Sequence, residues 1–470
     1  MKKIVLGPFT RANNSCMVEV TVENKKVVDA KCCGTFFRGF ELILQGRDPR
    51  DAGYLTERIC GICSSVHGTA AAYALEDAAG IRPPANGNLL RNLILGADFL
   101  QNHIRHIYLF SFVDYLKLPE KGPYPFRGSY NVDKRFPSQI NDTIFGHLIQ
   151  SIEISRQAHE MVTLLGGKAP FSQGILAGGS TVPPTADVVM NFRSKLEKIN
   201  HFVQNIMLPD IDILAEVYRD YYKIGRGKTN LLEYGLFPKG EKDNARHFPG
   251  GAVIDGRLQT VDIDVIKEHL SRSWYSGDSE VQHPSGGQTV INRAKEGAYS
   301  WVKAPRYNGL AMEGGPLARL WIRGDYRAGI STMDRIRARA LEAKLIGDLM
   351  LDWLERLEPD KPIFTPFAVP EKAEGTGLTG AMRGPLGHWL RIEKGRIAHY
   401  QIITPTAWNF SPRDNSGQKG PVEEALIGTP VEDENQPVEI GRVIRAFDVC
   451  SSCSAHVISP GSSTHLTILP

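Results

Sequence analysis

Two Cys-x-x-Cys pairs, Cys60–Cys63 near the start and Cys450–Cys453 near the end of a 470-residue chain, constrain this sequence more than any other feature. Together they supply four thiolates, and soft ligands of this kind select zinc, iron-sulfur clusters or a soft-site transition metal. If the pairs serve one centre, the fold must bring its two ends together. The remaining cysteines are Cys16, Cys32 and Cys33, and this layout does not suit a disulfide scaffold in so long a chain. Spacing alone does not choose the metal, and a structural zinc site of four cysteines fits the bare pattern equally well.

A hydrophobic content of 42% with 23% charged residues allows a sizeable core. The net charge of +3 is spread along the chain, which leaves no electrostatic footprint for nucleic acid. The short apolar run Ile4–Leu6 is broken by Gly7, Pro8 and Arg11, so no signal-peptide core is expected. Arg91, Asp98, Arg105 and His106 interrupt the apolar stretch from Leu89 to Val113, which argues against a membrane span.

The first fifty residues alternate as strands, with Cys16, Val18 and Val20 on one face and Val27, Val28 and Ala30 after a turn near Asn24. Helical periodicity begins near Ser65. Four long helices are expected: Leu89–Leu116, apolar on nearly all sides; Thr143–Leu165, closed by Gly166 and Gly167; Thr185–Met207; and one from Ser331 toward Pro359. The last opens with Ser331 and Asp334 in a capping arrangement and carries Leu341, Leu345, Leu349 and Trp353 in one row. Residues 225–330 are rich in Gly, Pro and aromatics and predict short strands. No Gly-x-Gly-x-x-Gly joins a strand to a helix, so a dinucleotide-binding unit is not supported. The expected fold is mixed α and β, mainly α: a central bundle of long helices with peripheral small β-sheets, in one large domain.

The sequence around the cysteines is more specific than their spacing. Phe37-Arg38-Gly39-Phe40-Glu41, Gly46-Arg47-Asp48-Pro49-Arg50-Asp51-Ala52, Arg58-Ile59-Cys60-Gly61-Ile62-Cys63 and Ser64-Ser65-Val66-His67 form a first block. Thr379-Gly380-Ala381-Met382-Arg383-Gly384-Pro385-Leu386-Gly387-His388-Trp389, Tyr400-Gln401-Ile402-Ile403-Thr404-Pro405-Thr406, Trp408-Asn409 and Asp448-Val449-Cys450-Ser451-Ser452-Cys453 form a second. Both blocks resemble nickel-iron hydrogenase large subunits, most closely the uptake-type branch.

That resemblance implies a centre in which Cys60, Cys63, Cys450 and Cys453 bind nickel, with Cys63 and Cys453 bridging to an iron that carries cyanide and carbon monoxide. Arg383 and Thr406 are the matching positions for hydrogen bonds to cyanide, Leu386 and Pro405 for the pocket walls, and His67 for a hydrogen bond to a bridging sulfur. Glu41, the Ile402 carbonyl and His456 match a second metal site, usually magnesium, with iron as the alternative. The resemblance also implies a mature domain of residues 1–456 and a tail, 457–470, removed by a maturation protease after nickel-insertion factors have acted. The activity implied is reversible heterolytic cleavage of H2, with the Cys450 thiolate as first base. Because Cys16, Cys32 and Cys33 lack cluster spacing, the electron relay belongs to an iron-sulfur small subunit. Co-export with that subunit implies a membrane-associated or periplasmic location, with the cytoplasm as the alternative.

The sequence departs from the family around this pocket. Asn13 stands where a proton-accepting glutamate is usual, and an amide does not take up a proton at ordinary pH. Asn102, within Gln101-Asn102-His103, replaces an aspartate, while Gly380 and Met382 replace a glutamate and a proline. Asp448 and Glu57, near the ligands in sequence, are the expected substitute proton carriers. Two other readings compete with the enzyme: a slow hydrogen sensor, favoured by the missing glutamate, and a four-cysteine metal scaffold without catalysis.

Overall fold

A computed structural model describes residues 2–7, 11, 16–119, 132–240, 245–277 and 279–450. Asn13, Cys453, His456 and the segment 457–470 lie outside the described residues.

Strands β1 (Lys2–Leu6), β2 (Cys16–Glu23) and β3 (Lys26–Gly34) form an antiparallel meander. Glu23 pairs with Lys26 across a two-residue turn, and both turn residues, Asn24 and Lys25, have positive φ of 50° and 57°, as the twist of a tight hairpin requires. Cys16, Val18, Val20 and Val22 are buried on one face and meet Val27, Ala30 and Cys32 from β3. Val28 is 43% exposed, because successive strand residues point to opposite faces. This sheet packs on residues from the other end of the chain, including Val422, Val443, Ile444 and Val449. That joint core brings Cys450 toward the Cys60–Cys63 pair.

Three short helices follow: α1 (Phe40–Leu44), α2 (Asp51–Glu57) and the longer, alanine-rich α3 (Ser64–Ala79). The bundle is built from α4 (Ala85–Arg105), α5 (Ser138–Gly166), α6 (Ala186–Phe202) and, after α7 (Leu208–Val217) and α8 (Pro316–Arg323), α9 (Thr332–Glu355). Helix α4 packs on α5 and α9, and α6 packs on the same two. The expected cap at Ser331 is present, accepting the Asp334 N–H, and Thr185 also caps its helix by accepting the Val188 N–H. Helix α4 continues as a π-helical turn, His106–Ser111, and α9 stops at Glu355, short of Pro359. Leu341, Leu345 and Leu349 are only partly buried, while Ile336, Ala340, Ala343 and Met350 fill the core. Residues 225–330 form small sheets such as Leu231–Glu233 with Gly251–Ile254, as expected.

One sheet lies close to the cysteines. Lys372–Ala381, Gly384–Glu393 and Arg396–Ile403 form an antiparallel meander that lies on α3. A Cβ on Gly377 would sit 1.9 Å from the Ala70 carbonyl oxygen and one on Gly375 2.1 Å from that of Ala74. Only glycine permits this backbone approach. It fixes the start of α3 relative to the hairpin tip that carries Arg383. After it come α10 (Pro405–Asn409), α11 (Pro421–Leu426) and α12 (Val438–Ala446).

Candidate metal centre

Cys63 is the residue that opens α3, and Cys60 lies in the turn before it. At the other end, α12 stops at Ala446 and Asp448 takes a left-handed conformation, φ 56°, which reverses the chain into Cys450. Aspartate tolerates this geometry better than most residues. The result is that Cys60 Sγ and Cys450 Sγ stand 3.5 Å apart, with Cys60, Cys63 and Cys450 all buried. Leu386 and Met382 belong to the same core cluster.

Arg383 occupies the two-residue turn between the strands Lys372–Ala381 and Gly384–Glu393. The turn is held from outside: Arg319 donates to the Ala381 carbonyl at 2.8 Å, Arg339 to the Met382 carbonyl at 3.3 Å and Asn409 to the Arg383 carbonyl at 2.9 Å. The guanidinium is spent on three contacts: Nε donates to the Asp448 carbonyl at 2.7 Å, and Nη2 donates to Asn102 Oδ1 at 2.8 Å and Asp448 Oδ1 at 3.1 Å. Nη1 is buried and has no hydrogen-bond partner among the described residues. Burial works against this cation, but Asp448 and the thiolates of Cys450, Cys63 and Cys60 outweigh it and keep it charged.

Asn102 explains its own substitution. Its carbonyl oxygen accepts from Arg383 and its amide donates to Asp448 Oδ2 at 3.0 Å, a pairing that no carboxylate makes unless protonated. Arg339 adds a second cation, 3.2 Å from the same oxygen. Burial raises the Asp448 carboxyl, yet the surrounding charges, Arg383 foremost, hold it below the usual carboxylate range.

Thr406, in the first turn of α10 after Pro405, accepts the Cys450 N–H at 3.1 Å, which leaves its hydroxyl proton free to be donated elsewhere. His67 is fully buried, and its Nδ1 lies 3.2 Å from His388 Nε2. His388 Nδ1 in turn lies 2.8 Å from the Tyr400 hydroxyl. Burial pushes His67 down to about 4, so both rings are neutral and each bond in the chain needs one donor. If Tyr400 donates, His388 donates to His67, and His67 Nε2 carries the remaining proton.

Glu41 and Ile402 are also brought together: burial raises the Glu41 carboxyl, which accepts from the Ile402 backbone N–H, and Lys303 opposes that rise. Gln401 donates to Glu268 at 2.5 Å beside them, and Lys303 lies 3.6 Å from the same carboxylate. Among the described residues no three His, Cys, Asp or Glu side chains form a metal site by themselves. The remaining expected ligands, Cys453 and His456, fall outside.

The chain fits the family model described as nickel-dependent hydrogenase over residues 38–121, 120–327 and 323–456. It belongs to the nickel-dependent hydrogenase family. It is 38% identical to the periplasmic [NiFeSe] hydrogenase large subunit of Desulfomicrobium baculatum, over 97% of this chain and 95% of that one. It is 32% identical to the uptake hydrogenase large subunit of Rhizobium leguminosarum bv. viciae, over 98% and 96%. Its structure superposes on that of the D. vulgaris Hildenborough Ni-Fe-Se hydrogenase with a TM-score of 0.93 at 38% identity, covering 97% of this chain and all of the other.

For this hydrogenase-family chain, a buried guanidinium donor with no hydrogen-bond partner among the described residues, within electrostatic reach of Cys450, Cys63 and Cys60, fits a centre that presents small acceptor ligands. Glu57, the last residue of α2, lies against Gly68 of α3. Sequence reasoning gave no role to Arg339, Tyr400 or Asp98. Of these only Asp98 left a signal, as one of the charges that interrupt the apolar stretch from Leu89 to Val113.

Proposed function

We infer that this chain is the catalytic large subunit of a nickel-iron hydrogenase, cleaving H2 reversibly into protons and electrons that leave through an iron-sulfur small subunit. The carrying observation is the cluster itself: two sulfurs from opposite ends of the chain, 3.5 Å apart, in the electrostatic field of a buried Arg383 whose Nη1 has no hydrogen-bond partner among the described residues. When bound, the nickel-iron group supplies the Lewis-acid and redox site at which hydrogen is polarised and its electrons are taken up. Cys60, Cys63, Cys450 and Cys453 would hold it. Arg383 Nη1 and the Thr406 hydroxyl would donate to its cyanide, Leu386 and Pro405 would exclude water, and His67 Nε2 would donate to a ligand sulfur.

Cys450 Sγ is the first proton acceptor in this reading. Asp448 takes a different part from the carrier expected of it: three donors, from Arg383, Arg339 and Asn102, converge on its two oxygens, so it serves to aim Arg383. Glu41, the Ile402 carbonyl and His456 would hold magnesium or iron at the second site. A mature unit of residues 1–456, with 457–470 removed by a maturation protease once nickel-insertion factors have acted, is supported by a family match that ends at residue 456. No helix among the described residues is long and apolar enough to cross a membrane. The periplasmic and uptake relatives support a location on the outer face of a membrane, reached with the small subunit. Selenium belongs to the name of one relative; position 450 here is cysteine.

The test is infrared spectroscopy with nickel and iron analysis on the matured complex. Cyanide and carbon monoxide bands that respond to hydrogen, with about one nickel per chain, are expected. Zinc in the cysteine pocket and no such bands would refute the assignment.

A further inference from the structure

The proton route is the part of the machinery that the pocket leaves open, and two buried carboxyls outside it have no other assigned task. Asp98, on α4, reaches the start of α3, where its carboxyl accepts both the hydroxyl and the backbone N–H of Ser65. Its Oδ2 has no hydrogen-bond partner among the described residues. Glu57, at the end of α2, lies against the same helix one turn later: a Cβ on Gly68 would be 2.6 Å from Glu57 Oε1. Glu57 Oε2 likewise has no hydrogen-bond partner among the described residues, the nearest cation being Arg58 Nη1 at 3.6 Å. Ser65 and Gly68 are one helical turn apart, roughly 4.5 Å along the axis, and the charge of Asp98 acts on Glu57, a spacing on the scale that bridging water spans.

The two ends of this pair face in different directions. Ser65 is two residues beyond Cys63, and the charge of Arg383 acts on Asp98. Glu57 lines a cavity of about 160 Å³ whose rim includes Arg50 and the 43% exposed Tyr54. We propose that Asp98 and Glu57, joined across the first turn of α3 by Ser65, form the outward proton path from the cysteine pocket to this cavity. The inference rests on the reading above that protons arise at Cys450.

The step moves one proton and no electrons. The Asp98 carboxylate takes the proton and becomes the acid; the O–H bond there breaks as one forms on the Glu57 carboxylate; Glu57 releases it to cavity water as hydronium. Both groups are suited to the exchange. Burial lifts the Asp98 carboxyl to about 7 against the pull of Ser65, Arg105 and Arg383, and lifts Glu57 to about 8, with Asp98 adding to the rise and Arg58 and Lys168 opposing it. Asparagine at 98 would still accept from the Ser65 N–H, which separates the relay from a purely structural cap on α3.

The experiment uses the matured complex with Asp98→Asn, Glu57→Gln and the conservative Asp98→Glu. Three signals are read: D2 exchange with H2O, interconversion of para- and ortho-H2, and the infrared carbonyl band of a protonated carboxylic acid in H2O and D2O. The isosteric variants should slow solvent exchange by about a hundredfold while para–ortho conversion, which needs no proton exit, continues. Asp98→Glu should recover part of the exchange, and Asp98→Asn should lose a carboxylic acid band present in the native protein near neutral pH. Exchange at the native rate in both isosteric variants would overturn the relay. Loss of exchange and conversion together would also overturn it, placing Asp98 in assembly of the site. Absence of conversion in the native complex would overturn the hydrogenase reading itself.

Discussion

Replacing Asp448 by asparagine separates an anchor from a proton carrier. The native carboxylate receives Arg383 on Oδ1, at 3.1 Å, and Asn102 and Arg339 on Oδ2, at 3.0 and 3.2 Å. An amide offers one acceptor oxygen and one NH2, so either orientation points a donor at a donor. Flipping Asn102 moves the conflict to Arg383 without removing it. Taking one partner from a buried ion pair costs about 3–5 kcal/mol, because the remaining charge is left uncompensated. If that falls on the arrangement that aims Arg383, its population drops by roughly two to three and a half orders of magnitude. The assay is infrared spectroscopy of the iron's diatomic ligands alongside hydrogen uptake with an artificial acceptor, at matched nickel content. Displaced bands together with lost turnover are expected. Native bands and native turnover would refute the reasoning, and native bands with lost turnover would return Asp448 to the carrier role.

Three further outcomes follow from the geometry. Tyr400→Phe removes the donor that sets the His388 and His67 tautomers, so the Cys-bound centre should shift its infrared bands with nickel retained; unchanged bands would mean that the His67 proton is set elsewhere. Gly377→Ala forces a methyl to within 1.9 Å of the Ala70 carbonyl, which should destabilise the chain by about 1–3 kcal/mol or more, seen as a lower thermal midpoint and poor nickel incorporation; a native midpoint would contradict the tight sheet-to-helix seat. Burial raises Asp98 to about 7, so its contribution to stability is full below the unfolded carboxyl pKa of about 4 and is lost as pH rises through about 7. Asp98→Asn should therefore flatten the decline of thermal midpoint over that window, and parallel curves for variant and native would sink the assignment.

The sequence by itself determined the ligand chemistry, since thiolates in Cys-x-x-Cys pairs are soft donors wherever they fall. It also determined the long helices and the starts of two of them, because the hydrophobic period and the caps at Thr185 and Ser331 act within one turn of the chain; the other two begin at Ala85 and Ser138, four and five residues before the first residue expected. The strand pattern of Cys16, Val18 and Val20 was legible for the same reason. The meander over residues 372–403 was not assigned to strands, since its glycines weaken the local signal and serve a contact with α3.

Only the tertiary structure decided what Asn102 is for: its two bonds reach residues 281 and 346 positions away. The same holds for Asp98 and Glu57, whose partners lie on α3 and whose acidity follows from burial. Local periodicity reports which face of a helix is apolar. The environment that fixes a charge is assembled from segments that meet only when the chain closes, and there the donors, acceptors and dielectric around each group are set.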